Sequence, residues 1–253
     1  MSTPYFRFKQ FTVWHDKCAM KVGTDGVLLG AWAQSFNTHP PSSQSISILD
    51  VGCGTGLISL MLAQRYPHSH IIAIDIDYDA AQQATRNVLE SPFQDRIKVI
   101  RTDFLDFTSS PPATTPNTLR PAPYSLIVSN PPYFEDTPST ISTSSPRDIA
   151  RHTQKLNFET LIQHSAELLS EQGTFAVIIP FDVANRFISI AASHNLYLHS
   201  RCDIRNNESK PFKRAMLAFC KDIHDTHTTS LTIRNIDNTY TLDYITLTQD
   251  FYI

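Results

Sequence analysis

The chain has 253 residues, a formal net charge of −3, 41% hydrophobic and 18% charged residues. This composition allows a sizeable core and excludes a disordered chain, and the length fits one large α/β domain. The sequence shows no secretory leader and no apolar run of the roughly 18 residues that a membrane-spanning helix needs, so we expect a cytoplasmic enzyme without membrane contact. The acidic net charge gives no global sign of nucleic-acid binding, which must then depend on local basic patches.

The middle of the chain alternates between strand and helix patterns, which is typical of parallel βαβ units. Two further β segments follow one another without a helix between them, which indicates an antiparallel pair. The expected strands are 45–51, 70–75, 97–100, 124–129, 174–179, 196–205 and 214–221, and the expected helices are 57–66, 78–90, 157–170 and 183–193, the last capped by Asp182.

These elements predict a single Rossmann-like α/β domain with a mostly parallel seven-stranded sheet, helices on both faces and a C-terminal antiparallel strand. Residues 1–44 form an N-terminal segment on the cofactor and substrate side, 45–221 the core, and 222–253 a C-terminal β extension. Residues 108–123 hold five prolines and are expected to form a surface insertion. We expect 222–230 to be a polar linker and 240–253 to have β structure.

A glycine-rich turn follows the first of the buried strands, with the sequence Asp50-Val51-Gly52-Cys53-Gly54-Thr55-Gly56. Glycines allow a tight strand-to-helix turn and let a nucleotide approach the backbone N–H groups. Asp75 ends the next strand, where a carboxylate can accept hydrogen bonds from both ribose hydroxyls. A tight turn without a ligand, and Asp75 as a helix cap, remain alternatives.

Two details favour S-adenosylmethionine over a dinucleotide as the cofactor. Asp50 precedes the first glycine, Gly52, where a carboxylate attracts the ammonium group of the methionine moiety and repels a pyrophosphate. Asp103 and Phe104 follow the third strand, where they offer a carboxylate to the adenine amino group and a ring to the base. The alternative for Asp103 is a simple turn residue.

The fourth strand leads into Asn130-Pro131-Pro132-Tyr133 at the carboxyl edge of the sheet, where open α/β sheets bind ligands. The Asn130 side-chain carbonyl and the Pro131 backbone carbonyl can each accept one N–H of an amine, which aims its lone pair at the methyl donor. Pro132 stiffens the turn, and Tyr133 can stack on a base. This predicts methyl transfer to an sp² nitrogen without a metal; a plain proline turn is the alternative.

The whole chain resembles the bacterial tRNA1(Val) (adenine-N6)-methyltransferases, which are class I Rossmann-like enzymes that use S-adenosylmethionine. The resemblance is strongest in residues 20–32, which include Lys21-Val22-Gly23-Thr24-Asp25-Gly26. It also covers residues 6–11, 49–56, 130–133, 150–153 and 247–252. It implies methylation of the adenine 3′ of the anticodon in a valine tRNA, and it implies that Lys21, Thr24 and Asp25 border the methionine end of the cofactor. From the residues alone, Thr24 or Asp25 is expected to cap a helix.

Three groups of cations are candidates for RNA contact. One is N-terminal and also carries aromatic residues, one follows the Asn-Pro-Pro-Tyr turn, and one lies between the last two strands. They are Lys9, Lys17 and Lys21 with Phe8, Phe11 and Trp14; Arg147, Arg151, His152 and Lys155; and Lys210, Lys213 and Arg214.

Other functions share parts of this pattern. A ribosomal-RNA guanine-N2 methyltransferase has related chemistry, and a protein glutamine-N5 methyltransferase uses the same four-residue motif but has a helical domain before the glycine turn. About 45 residues precede the turn here, too few for such a domain. A catalytically silent cofactor-binding or RNA-binding module is the non-enzymatic alternative, and the oligomeric state is left open.

The four cysteines are far apart and form no C-x-x-C pair, so we expect reduced thiols. The histidines form no metal-type spacing with them, and we expect no metal site.

Overall fold

The computed structural model describes residues 3–18, 21–34, 45–109, 123–131 and 157–252. Most of the strands form one sheet of eight, and a separate two-stranded hairpin lies near the start of the chain. The strands are β1 (Tyr5–Arg7), β2 (Thr12–Trp14), β3 (Ile46–Val51), β4 (Ser69–Asp75), β5 (Ile97–Arg101), β6 (Tyr124–Ser129), β7 (Leu169–Pro180), β8 (Tyr197–Arg205), β9 (Arg214–Cys220) and β10 (His227–Thr232).

The large sheet has the order β10-β8-β9-β7-β6-β3-β4-β5. Strand β9 is antiparallel to both of its neighbours, and every other pair in this sheet is parallel. Seven described strands therefore end at one edge of the sheet, which we call the carboxyl edge. The expected mostly parallel α/β sheet with a C-terminal antiparallel strand is confirmed.

Seven α-helices surround the sheet in the described ranges. They are α1 (Thr24–Trp32), α2 (Leu57–Arg65), α3 (Tyr78–Leu89), α4 (Phe104–Ser109), α5 (Phe158–Leu168), α6 (Ala184–Ser193) and α7 (Leu242–Thr248). The helices cover both faces, because one buried cluster packs residues of α1, α2 and α3 against the sheet and a second cluster packs residues of α4, α5 and α6 against its other face. No helix in these ranges is long and apolar enough to cross a membrane.

The sheet has eight strands in the described residues and not the expected seven. The additional strand, β10, lies largely within the segment that was expected to be a polar linker, and it pairs in parallel with β8. Four of its six residues are exposed. A polar edge strand of this kind has no alternating apolar pattern, so it was missed in the sequence.

Residues 240–253 were expected to have β structure, and this expectation was wrong. The segment contains α7, which begins after Thr241, whose Oγ1 accepts a hydrogen bond from the Tyr244 N–H at 3.2 Å. The expected capping roles of three residues were also wrong. Asp182 lies in a 3-10 turn before α6, and α1 is preceded by Gly23 without a side-chain cap, so Thr24 and Asp25 belong to its first turn.

Both terminal segments join the main core. Lys9 N–H donates to the Phe251 carbonyl at 2.8 Å, and the Phe8 and Tyr252 rings stack at 5.9 Å. The side chain of Asn87, on α3, is fully buried and bonds the Trp14 backbone and the Thr55 carbonyl. The N-terminal hairpin is therefore tied directly to the glycine turn.

Candidate active site

The carboxyl ends of three adjacent strands form the candidate site. Strand β3 lies between β4 and β6, and Val51 is paired with Ile74 on one side and with Ser129 on the other. The glycine turn leaves β3, Asp75 ends β4, and Asn130 follows β6. The sheet therefore brings these three predicted features to one edge, as parallel strands require.

The glycine turn has the backbone that its sequence predicts. Gly52, Gly54 and Gly56 have φ angles of +72°, +56° and +78°, in the left-handed region that favours glycine. The N–H groups of Gly52 and Cys53 both donate to the Ile74 carbonyl at 2.9 Å, which fastens the turn to β4. The conformation of the turn is thus fixed by the neighbouring strand.

The three glycines serve different purposes. A Cβ added to Gly52 or Gly54 would meet no protein atom within 4 Å, so open space lies beside the backbone at both positions. A Cβ on Gly56 would lie 3.3 Å from the Cβ of Ala84, on α3. The first two glycines therefore leave room for a ligand, whereas Gly56 allows α2 and α3 to approach closely.

Asp50 is a fully buried carboxylate. Its Oδ2 accepts hydrogen bonds from the Ser59 N–H at 3.1 Å and from the Ser59 hydroxyl at 2.7 Å, while Oδ1 is buried and has no partner among the described residues. Burial raises the pKa of this carboxyl to about 7, against the opposing effect of the Ser59 hydrogen bonds. A buried acceptor without a partner costs free energy, and a bound ammonium group would satisfy it.

Asp75 orders the turn as well as facing the ligand side. Its Oδ2 accepts from the Gly54 N–H at 2.8 Å, and its Oδ1 accepts from the Asp77 N–H at 2.9 Å. Asp77, not Asp75, caps α3, because its carboxylate accepts from the Ala80 N–H. Burial raises the pKa of Asp75, and the two backbone N–H donors oppose that effect.

The region expected to hold the adenine differs in detail from the sequence interpretation. Asp103 is half-buried and its Oδ1 accepts from the Leu105 N–H at 2.7 Å, whereas Phe104 is buried and contacts His164 edge-to-face. The Phe104 ring is used inside the fold and offers little free surface to a base. Ile76 and Leu105, which the sequence analysis missed, are 43% and 46% exposed beside Asp75 and Asp103.

Asn130 and Pro131 directly follow β6, and Asn130 is half-buried while Pro131 is buried. The preceding residue, Ser129, is buried and donates its hydroxyl to the Val51 carbonyl at 2.8 Å. This bond crosses from β6 to β3 next to the glycine turn and fixes the strand end that carries Asn130. Pro132 and Tyr133 lie outside the described residues, as does the group of cations between 147 and 155.

Lys21, before α1, and Thr24, at its first position, are exposed, whereas Asp25 in the first turn is partly buried. Asp25 accepts an ion-paired hydrogen bond at 2.7 Å from the Nε of Arg214, which begins β9. The two residues are 189 positions apart, and no local pattern in the sequence could have revealed the pair. Arg214 therefore holds the start of α1 at the carboxyl edge.

The N-terminal group of cations does not offer the aromatic platform expected of it. Phe8 and Phe11 are 2% and 5% exposed and stack on each other in the core. Trp14 is partly buried beneath the Arg86 guanidinium, 4.4 Å from the ring centroid. Two of its three aromatic rings are thus unavailable for stacking on bases.

Comparisons with known proteins agree with this geometry. A family model described as the methyltransferase small domain matches residues 33–196, more than half of the chain. The tRNA1(Val) (adenine(37)-N6)-methyltransferase of Bacteroides thetaiotaomicron is 42% identical over all of this chain and 99% of its own length. The proteins of the same name from Phocaeicola vulgatus and Escherichia coli O157:H7 are 46% and 40% identical, over 100% and 98% of this chain and 99% and 94% of theirs.

The chain belongs to the tRNA1(Val) (adenine-N6)-methyltransferase family. The resemblance inferred from the sequence is thereby confirmed. A solved structure described as a predicted O-methyltransferase from Agrobacterium tumefaciens covers 90% of this chain and 96% of its own, with a TM-score of 0.64 and 18% identity. At that identity the match supports the class I methyltransferase fold alone.

The described residues of the site fit the chemical groups of S-adenosylmethionine. Two glycines leave open space along the turn, and Asp50 carries a buried oxygen without a hydrogen-bond partner among these residues. Asp75 lies at the neighbouring strand end, and exposed apolar side chains follow it and Asp103. Within the described residues there is no cluster of histidine, cysteine and acidic side chains suited to a metal ion, and all four cysteines are free thiols.

Proposed function

We propose that this chain transfers a methyl group from S-adenosylmethionine to N6 of adenine 37 in tRNA1(Val). The observation that carries the proposal is the position of Asn130 and Pro131 beside the glycine turn, at the edge where Asp50 and Asp75 also lie. The names of relatives that match the full chain at 40–46% identity supply the substrate. Such an enzyme works where tRNA is found, so we propose a cytoplasmic location.

The cofactor is held in this proposal by residues from four segments. Asp50 accepts hydrogen bonds from the ammonium group, the backbone at Gly52 and Gly54 lines the centre, and Asp75 accepts hydrogen bonds from the ribose hydroxyls. Asp103 borders the adenine together with the exposed Ile76 and Leu105, whereas the buried Phe104 supports this region from inside the fold. Lys21, Thr24 and Asp25 lie at the methionine end. When bound, S-adenosylmethionine supplies an electrophilic methyl group on a sulfonium.

The chain's own residues orient the acceptor. An adenine amino group is a poor nucleophile because its lone pair is delocalised into the ring. The Asn130 side-chain oxygen accepts one N–H of this group and the Pro131 carbonyl accepts the other, so the lone pair is held toward the methyl group. Both carbonyls also stabilise the positive charge that develops on the nitrogen. For Pro132 and Tyr133, which lie outside the described residues, the sequence predicts a stiffened turn and a ring that can stack on the base.

The variant Asn130→Ala tests this assignment. We expect turnover with tRNA to fall by roughly 100- to 1,000-fold, the usual effect of removing one preorganised polar group. Cofactor affinity, measured by calorimetric titration, is expected to stay within about twofold, because the glycine turn and its carboxylates are unchanged. Turnover close to that of the unaltered protein would contradict the role of Asn130.

The substrate is tested separately with labelled S-adenosylmethionine and four acceptors: total tRNA, ribosomal RNA, a release factor and no acceptor. We expect label in tRNA, on the adenine 3′ of the anticodon after nuclease digestion and mass spectrometry. Label in ribosomal RNA or in the release factor would indicate guanine-N2 or glutamine-N5 methylation. Cofactor binding without label in any acceptor would indicate a silent binding module.

A further inference from the structure

A group of cations and aromatic rings lies at the carboxyl edge, on the side of the candidate site away from the glycine turn. We call it the cation–aromatic rim, and it consists of Phe181, Arg201, Arg205, Lys210, Phe212 and Lys213. Strand β7 ends just before Phe181, β8 ends at Arg205, and β9 begins just after Lys213. Since β9 runs opposite to β7 and β8, all three boundaries lie at the same edge as Asn130.

The rim consists of two neighbouring phenylalanine rings with one guanidinium group over each. The Arg201 Cζ lies 5.3 Å from the Phe181 ring centroid, and the Arg205 Cζ lies 5.4 Å from the Phe212 ring centroid. The two phenylalanine rings are themselves 5.5 Å apart. All four side chains are only partly buried. Arg201 donates from Nε to Asp203 and from Nη1 to Asn185, and Arg205 donates from Nε to Thr232. The Nη2 groups of both arginines make no hydrogen bond within the described residues and are the donors left for a phosphate.

Backbone hydrogen bonds fix the loop that carries the rim. The Phe181 N–H donates to the Lys213 carbonyl at 3.2 Å, and the Lys213 N–H donates to the Ile204 carbonyl at 2.8 Å. On the other side, the Arg234 N–H donates to the Asn206 carbonyl at 2.8 Å. The loop between β8 and β9 is thus attached to the ends of both β7 and β10, and the rim is preorganised.

Most of the rim's positive charge is not neutralised within the described residues. Arg201 forms an ion pair with Asp203, whereas Arg205 donates to the neutral Thr232 hydroxyl, and Lys210 and Lys213 are exposed without an ion pair. The carboxylates next to or between the rim residues in the sequence are those of Asp182, Asp203 and Glu208. Four rim cations against these three carboxylates leave the rim locally positive in a chain of net charge −3. This favours a polyanion with planar groups.

The spacing of the sheet places the rim within reach of a bound nucleotide. Strands β7 and β9 separate β6, which carries Asn130, from β8. The register leads from Ser129 through Val177 and Leu217 to Arg201, so three inter-strand steps of about 4.8 Å put the Arg201 backbone roughly 14 Å from the end of β6, with Arg205 four residues further out. If one base of an RNA is bound at Asn130, the nucleotides next to it can span this distance and reach the rim.

We propose that the cation–aromatic rim docks the ribose–phosphate backbone and a flanking base of the substrate RNA, next to the nucleotide held at Asn130. The proposal rests on the methyl transfer to RNA proposed above. The lysines and arginines bind phosphates, and the outer faces of the guanidinium groups, whose inner faces lie over the phenylalanine rings, offer stacking surface to a base that is splayed out of the anticodon loop. The rim sets affinity for RNA and takes no part in cofactor binding.

The double variant Lys210→Glu/Lys213→Glu tests the proposal, with Lys98→Glu/Lys221→Glu as the matched control. Lys98 lies on β5 and Lys221 follows β9 at the edge opposite the rim, so the control pair makes the same charge change outside all three groups of candidate RNA-binding cations. With saturating cofactor, we expect the rim variant to raise the KM for tRNA by about tenfold or more. The slope of log affinity against log salt should become shallower by about 0.7–0.9 for each phosphate that the variant no longer binds. The kcat, the melting temperature and the cofactor Kd are expected to stay within about twofold or 2 °C of those of the control.

If the rim and control variants have the same KM for tRNA and the same salt dependence, the proposed role of the rim is wrong. The same conclusion follows if only the control variant loses affinity for tRNA. A change in sedimentation without a change in RNA affinity would also overturn this role, because the surface would then bind protein. If the unaltered protein binds tRNA but transfers no methyl group to it, the proposed function fails. In that case, the salt titrations of the rim and control variants still test whether the rim binds RNA.

Discussion

Asp50 is proposed to bind the ammonium group of the cofactor, but its burial lowers the stability of the cofactor-free protein. Its carboxylate is fully buried, and burial raises its pKa from 3.8 to about 7. One of its oxygens has no hydrogen-bond partner among the described residues. The unfolded chain releases this proton at lower pH than the folded chain does. The contribution of Asp50 to stability is therefore best below pH 4, and it falls as the pH rises from about 4 to about 7.

We expect Asp50→Asn to remove this pH dependence. The difference in unfolding free energy between the variant and the unaltered protein should grow in favour of the variant by about 1.4 kcal/mol per pH unit between pH 4 and pH 7, and stay constant above. Urea unfolding of the cofactor-free proteins at several pH values measures it, with Asp79→Asn, at an exposed position on α3, as the control. Parallel stability curves for the two proteins would contradict the raised pKa.

The raised pKa of Asp50 also predicts that cofactor affinity depends on pH. An ammonium group pairs with the ionised carboxylate, so the affinity of the unaltered protein for S-adenosylmethionine should rise between pH 6 and pH 8 and binding should release a proton. Asp50→Asn is expected to bind the cofactor at least about tenfold more weakly, a loss of roughly 1.4 kcal/mol or more. Calorimetric titrations in two buffers of different ionisation enthalpy count the proton.

At the scale of elements, the glycine turn separates ligand binding from packing. Gly54 and Gly56 both have positive φ angles, so Gly54→Ala and Gly56→Ala each strain the backbone by about 1–2 kcal/mol. The Gly56 methyl group would also press on Ala84, whereas the Gly54 methyl group would enter the open space of the candidate site.

We therefore expect Gly56→Ala to lose more thermal stability than Gly54→Ala. The order is expected to reverse for cofactor binding, with Gly54→Ala the weaker binder by tenfold or more, about 1.4 kcal/mol. Melting curves and cofactor titrations of the two single variants measure both effects. If the two variants rank in the same order in both measurements, the separation of roles is wrong.

The sequence predicted those elements whose local pattern coincides with their tertiary environment. Strands β3, β4 and β6 are central, buried on both faces and rich in aliphatic residues, so they were found within one or two residues of their bounds. Strand β10 exists because β8 offers it a partner, and its exposed polar residues do not encode that partner. Helix α7 contains threonine, tyrosine and isoleucine, which favour strands in isolation, but a threonine cap and core packing decide for a helix.

The residues of the candidate site also divide into those that could be predicted from the sequence and those that could not. The glycine turn, Asp75 and Asn130 could be predicted because each follows a recognisable strand, and parallel strands bring their ends together. The pair of Asp25 with Arg214, the exposed Ile76 and the inward position of Phe104 depend on side-chain packing between distant segments. Periodicity and spacing carry no information about such packing.

At the scale of the whole molecule, both terminal segments belong to the same buried cluster as α2 and the central strands. Phe251 is 1% exposed, and the Arg65 guanidinium lies 5.5 Å from its ring centroid. The C-terminal segment therefore contributes to the core although it follows the last strand of the sheet. The division of residues 1–253 into one domain stays a prediction.

We expect Phe251→Ala to lower the unfolding free energy by about 3–5 kcal/mol, the usual cost of removing a buried phenylalanine ring. Leu242→Ala, at a position 76% exposed in the same segment, is the control and is expected to change stability by less than about 0.5 kcal/mol. Chemical denaturation followed by circular dichroism and by tryptophan fluorescence should give one coincident transition for each protein. Two separate transitions would show that the C-terminal segment unfolds independently.

The hydrogen bond from the Gln64 side chain to the Asp250 carbonyl places residue 250 beside the end of α2. This location makes residue 250 suitable for attaching the protein to a surface. Helix α2 begins at the glycine turn and runs back along the sheet, so Gln64 lies about 10 Å further along its axis, toward the opposite edge. Asp250 is exposed there. A fluorophore or sensor surface coupled through Asp250→Cys would hold the protein from behind and leave its carboxyl edge facing solution, where a full-length tRNA can approach unhindered.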